Sequence, residues 1–108
     1  MAWTLSASGT QTAVISTEHV LATKTDNGTY VLAVDTGAMV NGDILELRVY
    51  TKVLTGGTAR VVYYAAFSHA QGEPNKYSPP VPCDIECKVT LKQTAGTGRD
   101  FPWALLFI

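Results

Sequence analysis

Apolar and polar residues alternate with a period of two along most of this chain, and no 3.6-residue period persists for three helical turns, so the pattern predicts strands throughout. The longest signal runs from Ile44 to Ala70. Two runs rich in β-branched and aromatic residues, 44–54 and 58–70, flank Thr55-Gly56-Gly57, whose glycines supply the positive-φ positions of a tight reversal. They predict a long antiparallel hairpin. In its first arm Leu45, Leu47, Val49 and Val53 share one parity and Glu46, Arg48, Tyr50 and Lys52 the other, which predicts one dry and one wet face. In its second arm both parities are largely apolar, which predicts cover on both sides. A hairpin cannot stand alone in water, so the other segments must be its flanks and cover.

Upstream, Trp3, Leu5 and Ala7 alternate with Thr4, Ser6 and Ser8, predicting a first strand that turns at Gly9-Thr10. Residues 11–16 and 18–25 are dense in β-branched residues but broken at Glu18-His19, and they read as two short strands or one bulged strand. Asp26-Asn27-Gly28 carries the type I′ turn signal, predicting a hairpin from Thr25 into Thr29–Asp35. A loop at Thr36-Gly37-Ala38 and a turn at Asn41-Gly42-Asp43 then feed the long hairpin. Downstream, Ser78-Pro79-Pro80-Val81-Pro82 excludes a central strand and predicts an extended arm or an edge strand. Ile85, Cys87, Val89 and Leu91 alternate with Glu86, Lys88, Thr90 and Lys92 as a half-buried strand. Gln93 to Asp100 reads as a flexible loop. The tail from Phe101 to Ile108 is apolar on both parities, and it is either a doubly covered core strand or a contact surface. Eight or nine strands with frequent turns predict one all-β domain over 1–108, an antiparallel β-sandwich.

Composition narrows the function. A chain of 108 residues buries roughly two-thirds of its unfolded surface, enough for one core. Only 16% of residues are charged, which leaves much surface for burial or for contact with another protein. The net charge of -1 argues against nucleic acid and anionic membrane as partners. The N-terminal residues show neither a signal-peptide pattern nor a spanning segment, giving the expectation of a soluble protein made in a cytoplasm. Cys83 and Cys87 are too few for a disulfide scaffold and read as buried free thiols.

No chemical motif stands out. His19 and His69 lack a nucleophile context, the Cys-x3-Cys spacing lacks a zinc knuckle, and the aspartates fall mostly in turns. Gly96-Thr97-Gly98 lacks the lysine and helix of a phosphate loop. The reading is therefore no enzyme, no cofactor and no bound metal. Tyr50 and Tyr64 are the tyrosines whose parity leaves them on an outer face, so a carbohydrate- or receptor-binding module is the alternative reading.

The unsignalled start at Met1-Ala2-Trp3-Thr4-Leu5-Ser6, the stretch from Val34 to Arg48 and the closing Phe101 to Ile108 give the chain a pattern that resembles small β-rich virion proteins of tailed bacteriophages, of the head decoration or cement type. The resemblance implies a jelly-roll-like sandwich on the capsid exterior, present in many copies and stabilising the major capsid protein lattice as a trimer or dimer. Physical considerations pick the contact surfaces: the proline arm, with Lys76, Tyr77, Pro79, Pro80 and Pro82, and the apolar tail, with Trp103, Leu105 and Phe107.

Overall fold

A computed structural model describes residues 2–108, and among them it contains nine antiparallel strands and no helix. The strands are β1 (Thr4–Thr12), β2 (Glu18–Lys24), β3 (Gly28–Asp35), β4 (Ile44–Thr51), β5 (Arg60–Ser68), β6 (Asn75–Tyr77), β7 (Val81–Cys83), β8 (Cys87–Ala95) and β9 (Asp100–Phe107). Sheet 1 has the order β1-β9-β3-β6, with β7 also paired to β3, and sheet 2 has the order β2-β8-β4-β5. Tyr30, Leu32, Val34, Phe101 and Leu105 of sheet 1 share one buried cluster with Leu45, Leu47, Val49, Val89 and Leu91 of sheet 2. The two inner faces thus make one core, in a sandwich-like arrangement.

The β4–β5 hairpin forms where the sequence places it, with Gly56 at φ 79° in the connection. Its arms differ from expectation. β4 is the central strand, paired to both β5 and β8, whereas β5 lies at the sheet edge with Val61, Val62 and Tyr64 exposed, so the second arm is not covered on both sides. Apolar residues on both parities there mark an uncovered outer face. Val53 is 85% exposed because β4 ends at Thr51 and releases it into the connecting loop.

Asp26-Asn27-Gly28 is not a hairpin turn. β2 belongs to sheet 2 and β3 to sheet 1, so this segment is an arch between sheets, and Gly28 does not take a positive φ. Both flanking strands pair with distant partners, β8 and β9, and those ladders outweigh a local turn preference. Asn27 Nδ2 donates to Asp84 Oδ1 at 2.8 Å, and the Tyr30 hydroxyl donates to the Asp26 carbonyl at 2.7 Å. Gly9 likewise does not turn the chain but lies within β1, where a Cβ would sit 3.4 Å from the Trp103 indole nitrogen. A glycine in a strand here admits a bulky neighbour.

The segment from Gln93 to Asp100 is a fastened arch rather than a flexible loop. Gln93 is fully buried; its Nε2 donates to the carbonyls of Ala95 (3.0 Å) and Thr97 (2.8 Å), and its Oε1 accepts from the Arg99 N–H (3.1 Å). Beside it, Asp43 is 1% exposed and accepts from the Val40 N–H at 3.0 Å and from Arg99 Nε at 2.9 Å. Gly96 adopts φ +88°, and a Cβ there would overlap Asp43 Oδ1, so only glycine fits.

Burial by itself would raise the Asp43 pKa, but the Val40 and Thr97 amides and the Arg99 guanidinium outweigh it and hold the carboxyl below its ordinary 3.8. A lowered folded pKa contributes stability that is fully present above the unfolded value and is lost as the pH falls through the folded one. Asp43→Asn is therefore expected to cost about 2–3 kcal/mol at pH 7, by loss of a charge-assisted pair with a buried member. In urea unfolding the gap to wild type should stay constant down to about pH 5 and narrow below about pH 4. Gly96→Ala should cost at least about 2 kcal/mol in the same assay, and a loss below about 0.5 kcal/mol would contradict the described arch.

Candidate docking face

β9 supplies the middle of sheet 1, between β1 and β3, and its two parities separate cleanly. Phe101 and Leu105 are fully buried, and Trp103 and Phe107 pack against the core, with the Phe107 ring 5.6 Å from that of Tyr30. Pro102, Ala104 and Leu106 point to the outer face. Register places Leu5 and Val31 beside Leu106, Ser8 and Ala33 beside Ala104, and Tyr77 beside Ala33. Trp3, Leu5 and Tyr77 are exposed there, with Tyr77 at 62%.

Two shallow concavities share the Tyr77 ring as a common wall. One, of about 290 Å³, is lined by Trp3, Val31, Tyr77, Ser78, Pro80 and Leu106. The other, of about 240 Å³, is lined mainly by Ala33, Asp35, Asn75, Tyr77, Pro102 and Ala104. Small residues at Ala33 and Ala104 lower the floor. The charges at strand positions on this outer face are Asp35 and Asp100, both toward one end.

The outer face of sheet 2 has the opposite character. Glu18 accepts from the hydroxyls of Tyr50 (2.6 Å) and Thr90 (2.7 Å), while Glu46 pairs with Arg48 (2.8 Å) and accepts from the Tyr64 hydroxyl (3.1 Å). Arg48 lies 4.9 Å from the Tyr64 ring centre and Lys88 4.3 Å from that of Tyr50. Burial would raise the Glu18 pKa, but the two hydroxyls, with Arg48 and Lys88, bring it below the ordinary value; the same carboxylate raises Tyr50. Both tyrosines do reach the outer face, as their parity predicts. Their rings are already engaged by the chain's own cations, which weakens them as a sugar-stacking platform.

Edges offer little. β1, β2 and β5 each carry one unpaired extra residue against the neighbouring strand, at Ser6, Leu21 and Val62, and the fourth edge is interrupted by Pro79 and Pro80 between β6 and β7. Bulges and prolines are the devices that prevent edge-to-edge pairing. Association is thereby directed to the faces.

The residues chosen from the sequence divide accordingly. Tyr77 and Pro80 line the outer concavities, and Pro79 and Pro82 are exposed along the same edge. Lys76 turns inward and reaches across the sandwich rim to the Phe67 ring at 4.9 Å. Leu105 is core, and Trp103 and Phe107 are half-buried core flank, so the tail contributes its other parity to the surface. The residues missed were Leu106, Ala104, Pro102, Val31 and Ala33. Their signal was size: Phe101, Trp103, Leu105 and Phe107 are the bulkier set, and bulk goes to the core.

Elsewhere, among the described residues, no three His, Cys, Asp or Glu side chains converge as a metal site. His19 Nε2 accepts from the Val14 N–H (3.1 Å) and His69 Nδ1 from the Gly42 N–H (2.9 Å), so each ring supports a loop. Cys83 ends β7 in sheet 1 and Cys87 begins β8 in sheet 2; both are buried and free. Burial pushes both thiols up from their ordinary pKa. Comparison with protein-family models, with curated proteins and with solved structures gives no match to this chain.

The thiols give a direct check on the described interior. At pH 8 a disulfide reagent such as Ellman's should modify neither cysteine within minutes in native protein and both in denaturant. Rapid reaction of either thiol in the native state would show that the β7–β8 end is open.

Proposed function

We propose that this chain is a non-enzymatic binding protein that lays the outer face of sheet 1 against another protein, and that its setting is a virion, as a decoration or cement protein on the major capsid protein lattice. The observation that carries the binding reading is the contrast between faces. Sheet 2 carries an internally bonded network of Glu18, Glu46, Arg48, Tyr50 and Tyr64 over its middle, with exposed apolar residues confined to Val20 and to the β4–β5 end at Val53, Leu54, Val61 and Val62, whereas the middle of sheet 1 presents mainly apolar concavities without a cation between them. Contiguous exposed apolar surface of this kind marks an interaction site.

The strand order supports a jelly-roll reading, since, apart from the β4–β5 hairpin, consecutive strands cross between the sheets if β6 and β7 are counted as one edge. That architecture serves viral capsid and lectin domains alike, so it is compatible with the virion setting without selecting it. The virion setting itself rests on the resemblance of the sequence. Magnitude favours a repeated partner. Four strands about 4.8 Å apart and eight residues of about 3.3 Å give a face of roughly 500 Å², below the roughly 800 Å² per partner of a stable interface. A single docked copy is thus weak, and many copies on a lattice, or a dimer or trimer, would supply the avidity.

The test is co-sedimentation with shells assembled from the major capsid protein of the same genome. Wild-type protein should pellet with the shells. Leu106→Glu should lower binding at least tenfold while costing less than about 2 kcal/mol of unfolding stability, since the half-buried side chain lies on the outer face and not in the core between the sheets. Tyr64→Glu, on the other sheet, should leave binding unchanged. Absence of wild-type binding would remove the capsid reading, and a specific glycan-array signal lost in a Tyr50 or Tyr64 variant would install the carbohydrate-binding one.

A further inference from the structure

The smaller concavity of sheet 1 has an internal counterpart that identifies what it takes. On sheet 2, Arg48 sits opposite Tyr64 in the β4–β5 ladder, lies over its ring, and bonds the carboxylate of Glu46 two residues away on its own strand. On sheet 1, Ala33 sits opposite Tyr77 in the β3–β6 ladder, with Asp35 two residues away on its own strand. The aromatic ring and the carboxylate recur. The arginine between them is replaced by a methyl group, and the resulting floor is part of the 240 Å³ concavity.

Resting on the reading of this face as a docking surface, we propose that this concavity receives an arginine side chain from the partner protein. Its aliphatic stem would lie on Ala33, Ala104 and Pro102, and its guanidinium would stack on Tyr77 and pair with Asp35 and the Asn75 amide oxygen. The acceptors are available. Asp35 Oδ1 accepts the Gly37 N–H at 2.8 Å, its other oxygen has no hydrogen-bond partner among the described residues, and no described cation pairs with it. Tyr77 also differs from Tyr50, Tyr64 and Phe67, whose rings each carry one of the chain's own cations. Charge decides against the same face of a second copy as the occupant, because this face has no cation at a strand position to offer another Asp35.

The probe is N-acetyl-arginine amide, titrated into the isotope-labelled full chain and followed by amide NMR shifts, with N-acetyl-norleucine amide as the uncharged control. The arginine probe should bind with an affinity on the order of millimolar, moving Ala33, Asp35, Asn75 and Ala104, and the control should not. Asp35→Asn keeps the acceptor for the Gly37 N–H and should weaken the probe at least fivefold; Ala33→Arg should fill the concavity and abolish its binding with the fold intact. Equal shifts from the control, shifts elsewhere, or an unaltered response in Asp35→Asn would overturn the inference. Shell binding lost in Leu106→Glu but insensitive to Asp35→Asn would sink the arginine and leave the docking face standing.

Discussion

A β-strand delivers alternate side chains to two faces, and β9 is apolar on both. This one strand, flanked by β1 and β3, therefore seals the core with Phe101 and Leu105 and lays Pro102, Ala104 and Leu106 on the outside. Each large apolar side chain left in water forgoes roughly 1.5–3 kcal/mol of burial. The inner set recovers that energy within the molecule. The outer set recovers part of it within the chain, where Val31 is buried and Leu106 half-buried, and the remainder is left at exposed Trp3, Leu5 and Tyr77.

The two outer faces are unequal in kind as well as in polarity. On sheet 2 the carboxylates of Glu18 and Glu46 are matched by hydroxyls and cations from neighbouring strands, so most of its bonding capacity is spent internally. On sheet 1 the outer residues are mostly apolar, and the carboxylates of Asp35 and Asp100 accept from the Gly37 N–H and the Thr12 hydroxyl without a paired cation among the described residues. Bulges at Ser6, Leu21 and Val62 and the prolines between β6 and β7 also spoil the edges for strand addition. A molecule built this way is guarded against open-ended sheet growth.

Much of the fold was legible from local pattern. The β4–β5 hairpin, the half-buried alternation of β8 and the edge placement of the proline segment each follow from residues close in sequence. What failed depended on distant partners. Asn27-Gly28 has the chemistry of a tight hairpin, yet its flanking strands pair with β8 and β9, each about seventy residues on, and the turn becomes an arch. Gly9 reads as a turn until Trp103 is opposite it. The tail posed the same problem for function: Trp103, Leu105 and Phe107 are the stronger anchors by residue type, but their size sends them inward. Parity showed that β9 had two apolar sides, and only the register against Tyr30 and Leu32 decided which side was the surface.

Hydroxyl-radical footprinting of the protein alone and after incubation with capsid shells reads directly which face a partner covers. Trp3, Tyr77 and Leu106 should be protected on binding, with Tyr64 and Val62 still oxidised at their free rates. Protection of Tyr64 and Val62, with Trp3 and Tyr77 unchanged, would contradict docking through sheet 1.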